Sequence, residues 1–324
     1  MNDRIGDFNM KTKIFIDGSE GTTGLRIYER FEGRDDVELL KISSDLRKDP
    51  AERKRLINES DVTFLCLPDD AARESVSLVE NEKVRIIDTS TAHRTQADWA
   101  YGFAELSAAH REKIRTNNRI AVPGCYATGF ISLVYPMIAG GVMDATVPVT
   151  TFGISGYSGA GKKAIATYED VNRDKMYDAP REYALTQSHK HLTEMQAITG
   201  LSRKPLFSPI VCDYYSGMVV SVPLYTEFLN KYKQVDDLRK YFSEYFAGEP
   251  FIKVMEKGAE EATLNMLPAN QCSGYDGLHI YITGNEDRIV LSSQFDNLGK
   301  GASGAAIQCL NIVLGCDETK GLQL

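Results

Sequence analysis

The sequence predicts an α/β chain in two parts, a parallel sheet of βαβ units followed by an α+β region with a mostly antiparallel sheet. Two rhythms carry that reading. Over roughly the first 125 residues, apolar runs of strand length alternate with helical patterns. Further on, strand-like runs follow one another across short turns. The length of 324 residues agrees, since it suffices for about two domains of ~150 residues.

Taken in order, Lys13–Asp17 reads as a strand, followed by a Gly-rich turn and a helix through Leu25, Ile27 and Phe31. Val37–Ile42 is a second strand, with a charged helix near Ala51–Asn58. Val62–Leu67 is a third, closed by Pro68, and Asp69-Asp70 then place acidic residues at the positive end of a helix. Arg85–Asp88 and Arg119–Val122 supply two more short strands. The rhythm changes at 122–125. Val147–Ile154, Met218–Leu224, Phe251–Val254, Leu278–Ile282 and Ile289–Gln294 are strand candidates, and Glu286-Asp287 reads as the turn of a hairpin. Val235–Phe246 and Gly301–Leu314 are helical, the latter with an apolar face.

Composition excludes several classes. With 37 Lys+Arg against 45 Asp+Glu, the net charge of −8 argues against nucleic acid as a principal partner. An anionic small molecule must then be captured by a local cluster of cations or backbone amides. No run approaches the ~20 apolar residues of a membrane span. The opening MNDRIGDFNMKTK lacks the apolar core of a signal peptide. Six cysteines are scattered without CxxC pairs or histidines at zinc-ligand spacing, which predicts reduced thiols in a cytoplasmic protein and no metal site.

Three segments carry chemistry. Asp17-Gly18-Ser19-Glu20-Gly21-Thr22-Thr23-Gly24 follows the first strand and gives GxxGxxG, one residue longer than the dinucleotide fingerprint. Gly18, Ser19, Gly21, Thr22, Thr23 and Gly24 are the candidates to turn tightly, approach a pyrophosphate and aim a helix N-terminus at it. After the second strand, where an NAD site usually carries an acidic residue, the chain reads Ile42-Ser43-Ser44-Asp45-Leu46-Arg47-Lys48. Ser43, Ser44 and Arg47 suit a 2′-phosphate and favour NADP(H), while Asp45 leaves room for NAD. In Val122-Pro123-Gly124-Cys125-Tyr126-Ala127-Thr128-Gly129, Pro-Gly ends a strand and an apolar helix follows. Cys125 is thus expected at a helix N-terminus, where the macrodipole favours thiolate. A thiolate beside a dinucleotide fold points to acyl transfer coupled to hydride transfer. In Gln187-Ser188-His189-Lys190-His191-Leu192-Thr193-Glu194, two of only five histidines stand at i, i+2, which projects both to one side of an extended segment. A cysteine enzyme needs such an acid/base, though the residues alone suit a surface loop or half of a metal site equally.

Together with SGYSGAGKK (Ser155–Lys163) and DNLGKGASGAAIQ (Asp296–Gln308), these motifs resemble the N-acetyl-γ-glutamyl-phosphate reductase family, and the DGSEGTTGLRI opening resembles its shorter, type 2 branch. The resemblance runs from about residue 12 to residue 315. It implies a Rossmann-like NADP-binding domain at 1–122 and 297–324, and an inserted catalytic domain at 123–296 that also makes a homo-oligomer contact. The implied reaction is NADPH-dependent reductive dephosphorylation of an acyl phosphate to a semialdehyde through a thioester on Cys125. His191 would be the acid/base, with His189 beside it. Ser155, Gly156, Ser158 and Arg94 would lie at the substrate, and Asn297 and Gly301 at the cofactor. Lys190 and Thr193 stand where many relatives have Arg and Pro. Two alternatives remain in view. One is an aspartate-semialdehyde dehydrogenase-like enzyme, whose nucleophile usually follows a polar Asn-Cys turn instead of Pro-Gly. The other is a non-enzymatic dinucleotide sensor with an inert Cys125.

Overall fold

The computed structural model describes residues 11–324, so most of the opening segment read above lies outside the described residues. Six strands form the first sheet: β1 (Thr12–Asp17), β2 (Val37–Leu40), β3 (Val62–Leu65), β4 (Arg85–Asp88), β5 (Ala100–Tyr101) and β6 (Arg119–Ala121). They are all parallel, in the order β2-β1-β3-β4-β6-β5. Helices α1 (Thr22–Glu29), α2 (Pro50–Glu59), α3 (Asp69–Ser77) and α4 (Ala108–Thr116) provide the crossovers. A sheet covered on both faces wants continuous apolar strands, and β1 and β3 comply with Ile14, Phe15, Ile16 and Phe64 buried. The start of α2 is fixed locally, because the Asp49 carboxylate accepts the Glu52 N–H at 2.8 Å and Pro50 opens the first turn. Strand order reverses between β1 and β3, which opens a crevice at their carboxyl ends.

The chain then enters α5 (Cys125–Ala139) and a seven-stranded sheet made of β7 (Thr150–Gly156), β8 (Arg181–Glu182), β9 (Leu206–Cys212), β10 (Met218–Tyr225), β11 (Ile252–Val254), β12 (Leu278–Gly284) and β13 (Arg288–Phe295). The order is β11-β12-β13-β10-β7-β9-β8. The pairs β11/β12 and β7/β9 are parallel and the other four are antiparallel. Its spine is the register of β10 on β13, from Met218 opposite Phe295 to Tyr225 opposite Arg288. α5 packs on this sheet, with Phe130, Leu133 and Met137 in one core with Val220, Leu291 and Phe295. α6 (Lys162–Glu169), α7 (His191–Thr199) and α8 (Val235–Tyr245) complete this part. The chain finally turns back through a π-helical turn, Gly299–Ser303, into α9 (Gly304–Leu314). Ala305, Ile307 and Leu310 of α9 pack against Ile14, Phe64 and Ile120 of the first sheet.

Several elements were not anticipated, α6 among them. β5 and β8 are two residues each, too short for any periodicity. α4 buries only Ile114, so its apolar stripe is faint, and β9 is interrupted by Pro209.

Candidate active site

The first half of the site is the crevice beyond β1. Gly18 has φ +88°, and a Cβ there would lie 2.4 Å from the Cys66 carbonyl oxygen, so only glycine lets the chain turn this close to β3. The Gly21 N–H closes the turn on the Gly18 carbonyl at 3.0 Å. α1 then starts with no side chain capping its first turn, and the Thr22 hydroxyl is buried without a partner among the described residues. Orphan donors at a helix N-terminus beside a cleft of about 500 Å³ fit the pyrophosphate of a dinucleotide.

Gly18, Ser19 and Gly21 line that cleft, and Ser44, Arg47 and Lys48 face them from the loop after β2. Thr22 and Thr23 lie in the first turn of α1. Gly24 lies deeper, where a Cβ would strike the Gly18 carbonyl. Ser43 is not among the lining residues, and its carbonyl accepts the Leu46 N–H instead. At the floor, buried Arg53 donates to Asp17 at 3.1 and 3.2 Å and to Ser75 at 2.6 Å. Sequence reasoning gave Arg53 no role.

The second half is the turn between β6 and α5. Cys125 is the first residue of α5, after Gly124. The Gly124 N–H donates to Glu194 Oε1 at 2.9 Å, and the Tyr101 hydroxyl donates to the same oxygen at 2.8 Å. Arg94 Nη1 donates to Glu194 Oε2 at 3.0 Å, while its Nε and Nη2 donate to the carbonyls of Val122 and Thr89. Glu194 is 2% exposed, so these donors replace the water it would otherwise hold. A Cβ on Gly124 would stand 2.3 Å from His191 Nε2 and 2.4 Å from Arg94 Nη1, so imidazole and guanidinium both press on the residue preceding the thiol. Arg94 is itself delivered by a clasped loop. Asp88 accepts from Ser90 N–H and Oγ at 2.8 and 2.7 Å and pairs with His93 Nδ1 at 2.6 Å. Glu194 escaped the sequence reading, although a carboxylate three residues past His191 on one helix was a usable signal.

The histidine segment corrects one expectation. It is not extended: Lys190 has helical angles and His191 opens α7. The turn still brings the rings together, with centroids 4.7 Å apart, and His189 Nδ1 accepts the His191 N–H at 3.1 Å. His191 is buried and its Nδ1 has no partner among the described residues. Burial drives His191 well below the usual imidazole range, with the charges of Arg94 and Lys190 adding to it. Burial also takes His189 down to about 4.

A second expectation is reversed. Burial pushes the Cys125 thiol up, outweighing the Tyr126 N–H and the charges of Arg94 and Lys190 that pull it down. The resting pair at neutral pH is therefore a protonated thiol and a neutral imidazole.

Ser155 is 4% exposed and donates to the Gly156 carbonyl at 3.1 Å. Gly156 fits tightly under the carbonyls of Tyr214 and Tyr215. The Ser158 hydroxyl accepts from Asn297 Nδ2 at 2.9 Å, and Asn297 Oδ1 accepts the Gly217 N–H at 2.8 Å. A Cβ on Gly301 would stand 3.0 Å from the Cβ of Cys125. Gly301 thus lies at the thiol, and neither it nor Asn297 lines the cleft beyond β1. Among the described residues, no group of three His, Cys, Asp or Glu could hold a metal ion, and no helix is long and apolar enough to cross a membrane.

Comparison with known proteins is consistent across the chain. Residues 8–115 match the NAD binding domain of semialdehyde dehydrogenase, and residues 125–297 match the semialdehyde dehydrogenase dimerisation domain. The chain is 43% identical over 322 residues to N-acetyl-gamma-glutamyl-phosphate reductase 2 of Nostoc sp. (strain PCC 7120), covering 96% of this chain and 99% of that one. It is 44% identical over 309 residues to N-acetyl-gamma-glutamyl-phosphate reductase of Rhizobium meliloti, covering 94% and 99%. Among solved structures, aspartate semialdehyde dehydrogenase from Francisella tularensis superposes with a TM-score of 0.71 at 14% identity, over 94% of this chain and all of that one. That likeness is one of fold.

Proposed function

Because the chain belongs to the N-acetyl-gamma-glutamyl-phosphate reductase family, an oxidoreductase family with a nicotinamide-dinucleotide domain, we propose that Cys125 is its nucleophile and NADPH its reductant. The substrate is N-acetyl-γ-glutamyl phosphate and the product the corresponding semialdehyde, a step of arginine biosynthesis. One observation carries the reading: the Gly124–Cys125 turn, pinned by Glu194 and pressed by His191 and Arg94.

The division of labour follows from the electrostatics. Neutral His191 accepts the Cys125 proton as sulfur attacks the acyl carbon. The bond from that carbon to the phosphate oxygen breaks, and phosphate departs with the electron pair and takes up the proton from His191. The product of this half is a thioester on Cys125. Bound NADPH supplies the hydride that takes the acyl group to the aldehyde level. His191 takes up from solvent the one proton the reduction consumes and protonates the oxygen that develops. It recovers that proton as the C–S bond breaks and the aldehyde forms, and returns it to the departing sulfur. His189, beside it, donates to the substrate's anionic end. Ser155, Gly156 and Ser158 shape the substrate wall, Asn297 braces Ser158, and Gly301 lies against Cys125 on the cofactor side.

Arg94 has three of its five N–H groups committed within the protein, which supports a bracing role for the nucleophile turn and leaves two for substrate phosphate. The cleft beyond β1 holds the adenosine end and pyrophosphate, with Thr22 and the first turn of α1 as phosphate donors. Ser44 and Arg47 on the 2′-phosphate make NADP the preferred form. We assign 1–122 with 297–324 to cofactor binding and 123–296 to catalysis, the dimerisation-domain match supports a homo-oligomer, and we assign the enzyme to the cytoplasm.

A reverse assay tests this reading. N-acetylglutamate semialdehyde, phosphate and NADP should give NADPH, and aspartate semialdehyde should give far less. Equal turnover of both aldehydes overturns the substrate assignment.

A further inference from the structure

Glu20 sits inside the Gly-rich loop, between Ser19 and Gly21, and lines one wall of the crevice beyond β1. Arg47 lines the other, in the turn after β2. The two side chains form an ion pair across the cleft, each about half exposed, 52% and 47%. Among the described residues, Arg47 has no other carboxylate partner, and neighbouring Lys48 has none. The guanidinium that a 2′-phosphate would need is therefore already committed to a carboxylate of the phosphate-binding loop.

We propose that Glu20 is a specificity-determining residue: a counter-ion latch that a 2′-phosphate must displace from Arg47, and that a dinucleotide without that phosphate leaves closed. The inference rests on the reading of Arg47 as the 2′-phosphate contact. A dianionic phosphate forms bidentate charge-assisted bonds with a guanidinium and outcompetes one exposed carboxylate. Glu20 thus lowers NADPH affinity without reversing the preference, and brings the two cofactors closer together than the cations alone would. Two effects act in the same direction. Glu20 occupies Arg47 before binding, and afterwards its released negative charge remains near the new phosphate.

Equilibrium binding of NADPH, NADH and 2′,5′-ADP to the full chain, read by nucleotide fluorescence or calorimetry, tests this independently of turnover. Glu20→Gln should tighten NADPH and 2′,5′-ADP about two- to fivefold, the span of an exposed ion pair, and leave NADH within experimental scatter. In an Arg47→Ala background the same change should lose most of its effect, because the latch has no partner. Raised salt should shrink the gain. Arg47→Ala alone checks the underlying reading. If it weakens NADPH and NADH equally, Arg47 is not at the 2′-phosphate and the NADP assignment falls. If it is selective for NADPH but Glu20→Gln tightens NADH as much, Glu20 merely repels the pyrophosphate and the latch falls. An unchanged or weakened NADPH affinity in Glu20→Gln also overturns it. Both side chains are exposed, so neither variant endangers the fold.

Discussion

Replacing Gly124 by alanine sets a methyl group into space already filled by His191 and Arg94. A Cβ there would be 2.3 Å from His191 Nε2 and 2.4 Å from Arg94 Nη1, about 1 Å short of ordinary contact. The guanidinium cannot simply retreat, because its Nε, Nη1 and Nη2 are bonded to Val122, Glu194 and Thr89. The imidazole is buried at the start of α7, and its ring lies 4.7 Å from that of His189. One of the two must shift by about 1 Å, or the turn carrying Cys125 must. Overpacking of this kind costs about 1–3 kcal/mol of stability. The rate penalty is larger relative to its cause, since a 1 Å misplacement of reacting groups is worth about 10²-fold. We therefore expect kcat to fall about a hundredfold while NADPH affinity stays within a factor of two, because the dinucleotide cleft is untouched. Steady-state kinetics with a parallel NADPH titration measures both. A Gly124→Ala enzyme within threefold of normal kcat would refute the reasoning, since His191 would then not act from against this turn.

Cys125→Ser should abolish turnover by orders of magnitude and spare cofactor binding; more than a few per cent residual rate removes Cys125 as nucleophile. His191→Asn should lower kcat by about 10²–10⁴-fold, whereas His189→Asn should chiefly raise KM; the opposite split exchanges their roles. His191 must be neutral to accept a proton, and burial holds its ionisation well below the usual imidazole range. The acid limb of kcat/KM should accordingly lie below pH 6.5, and a limb above pH 7 would contradict the buried, neutral imidazole. Stability follows the same linkage. His189, depressed to about 4, binds its proton more readily in the unfolded chain, so its contribution is complete above about pH 6.5 and lost as pH falls toward 4. Urea midpoints should decline over that window, and less steeply in His189→Asn.

Much of the parallel sheet was legible because its strands are continuous apolar runs punctuated by glycine, proline and acidic helix starts. The Gly18 turn and the helix start at Cys125 could be read for the same reason, since each marks itself with Gly or Pro-Gly. What the sequence hid lies where signal and distance part company. Tyr101 belongs to a two-residue strand, and Glu194 meets Gly124 across seventy residues of chain. Arg53 looked like one more charge on a polar helix, yet it is buried on Asp17. The ionisation of Cys125 was misjudged for a related reason: a helix start is visible in sequence, whereas the burial that outweighs it depends on long-range packing. The histidines were placed together correctly but on the wrong backbone, since a turn into a helix and an extended segment can both juxtapose residues two apart.

The Glu194 carboxylate has a mechanical consequence. Its donors come from three places bordering the parallel sheet, namely β5, the loop after β4 and the end of β6, while Glu194 itself rides on α7, whose Leu192 and Met195 belong to the core of the other sheet. A buried four-way joint of this kind acts as an axle. If one sheet rocks over the other to admit a dinucleotide or release a product, the displacement is smallest at the joint and grows with distance from it. The thiol, one residue from the axle, then keeps its geometry relative to both sheets, and the edges of the sheets farthest from the joint take up the travel, while the cleft beyond β1, lined only by the parallel-sheet part, moves as one piece.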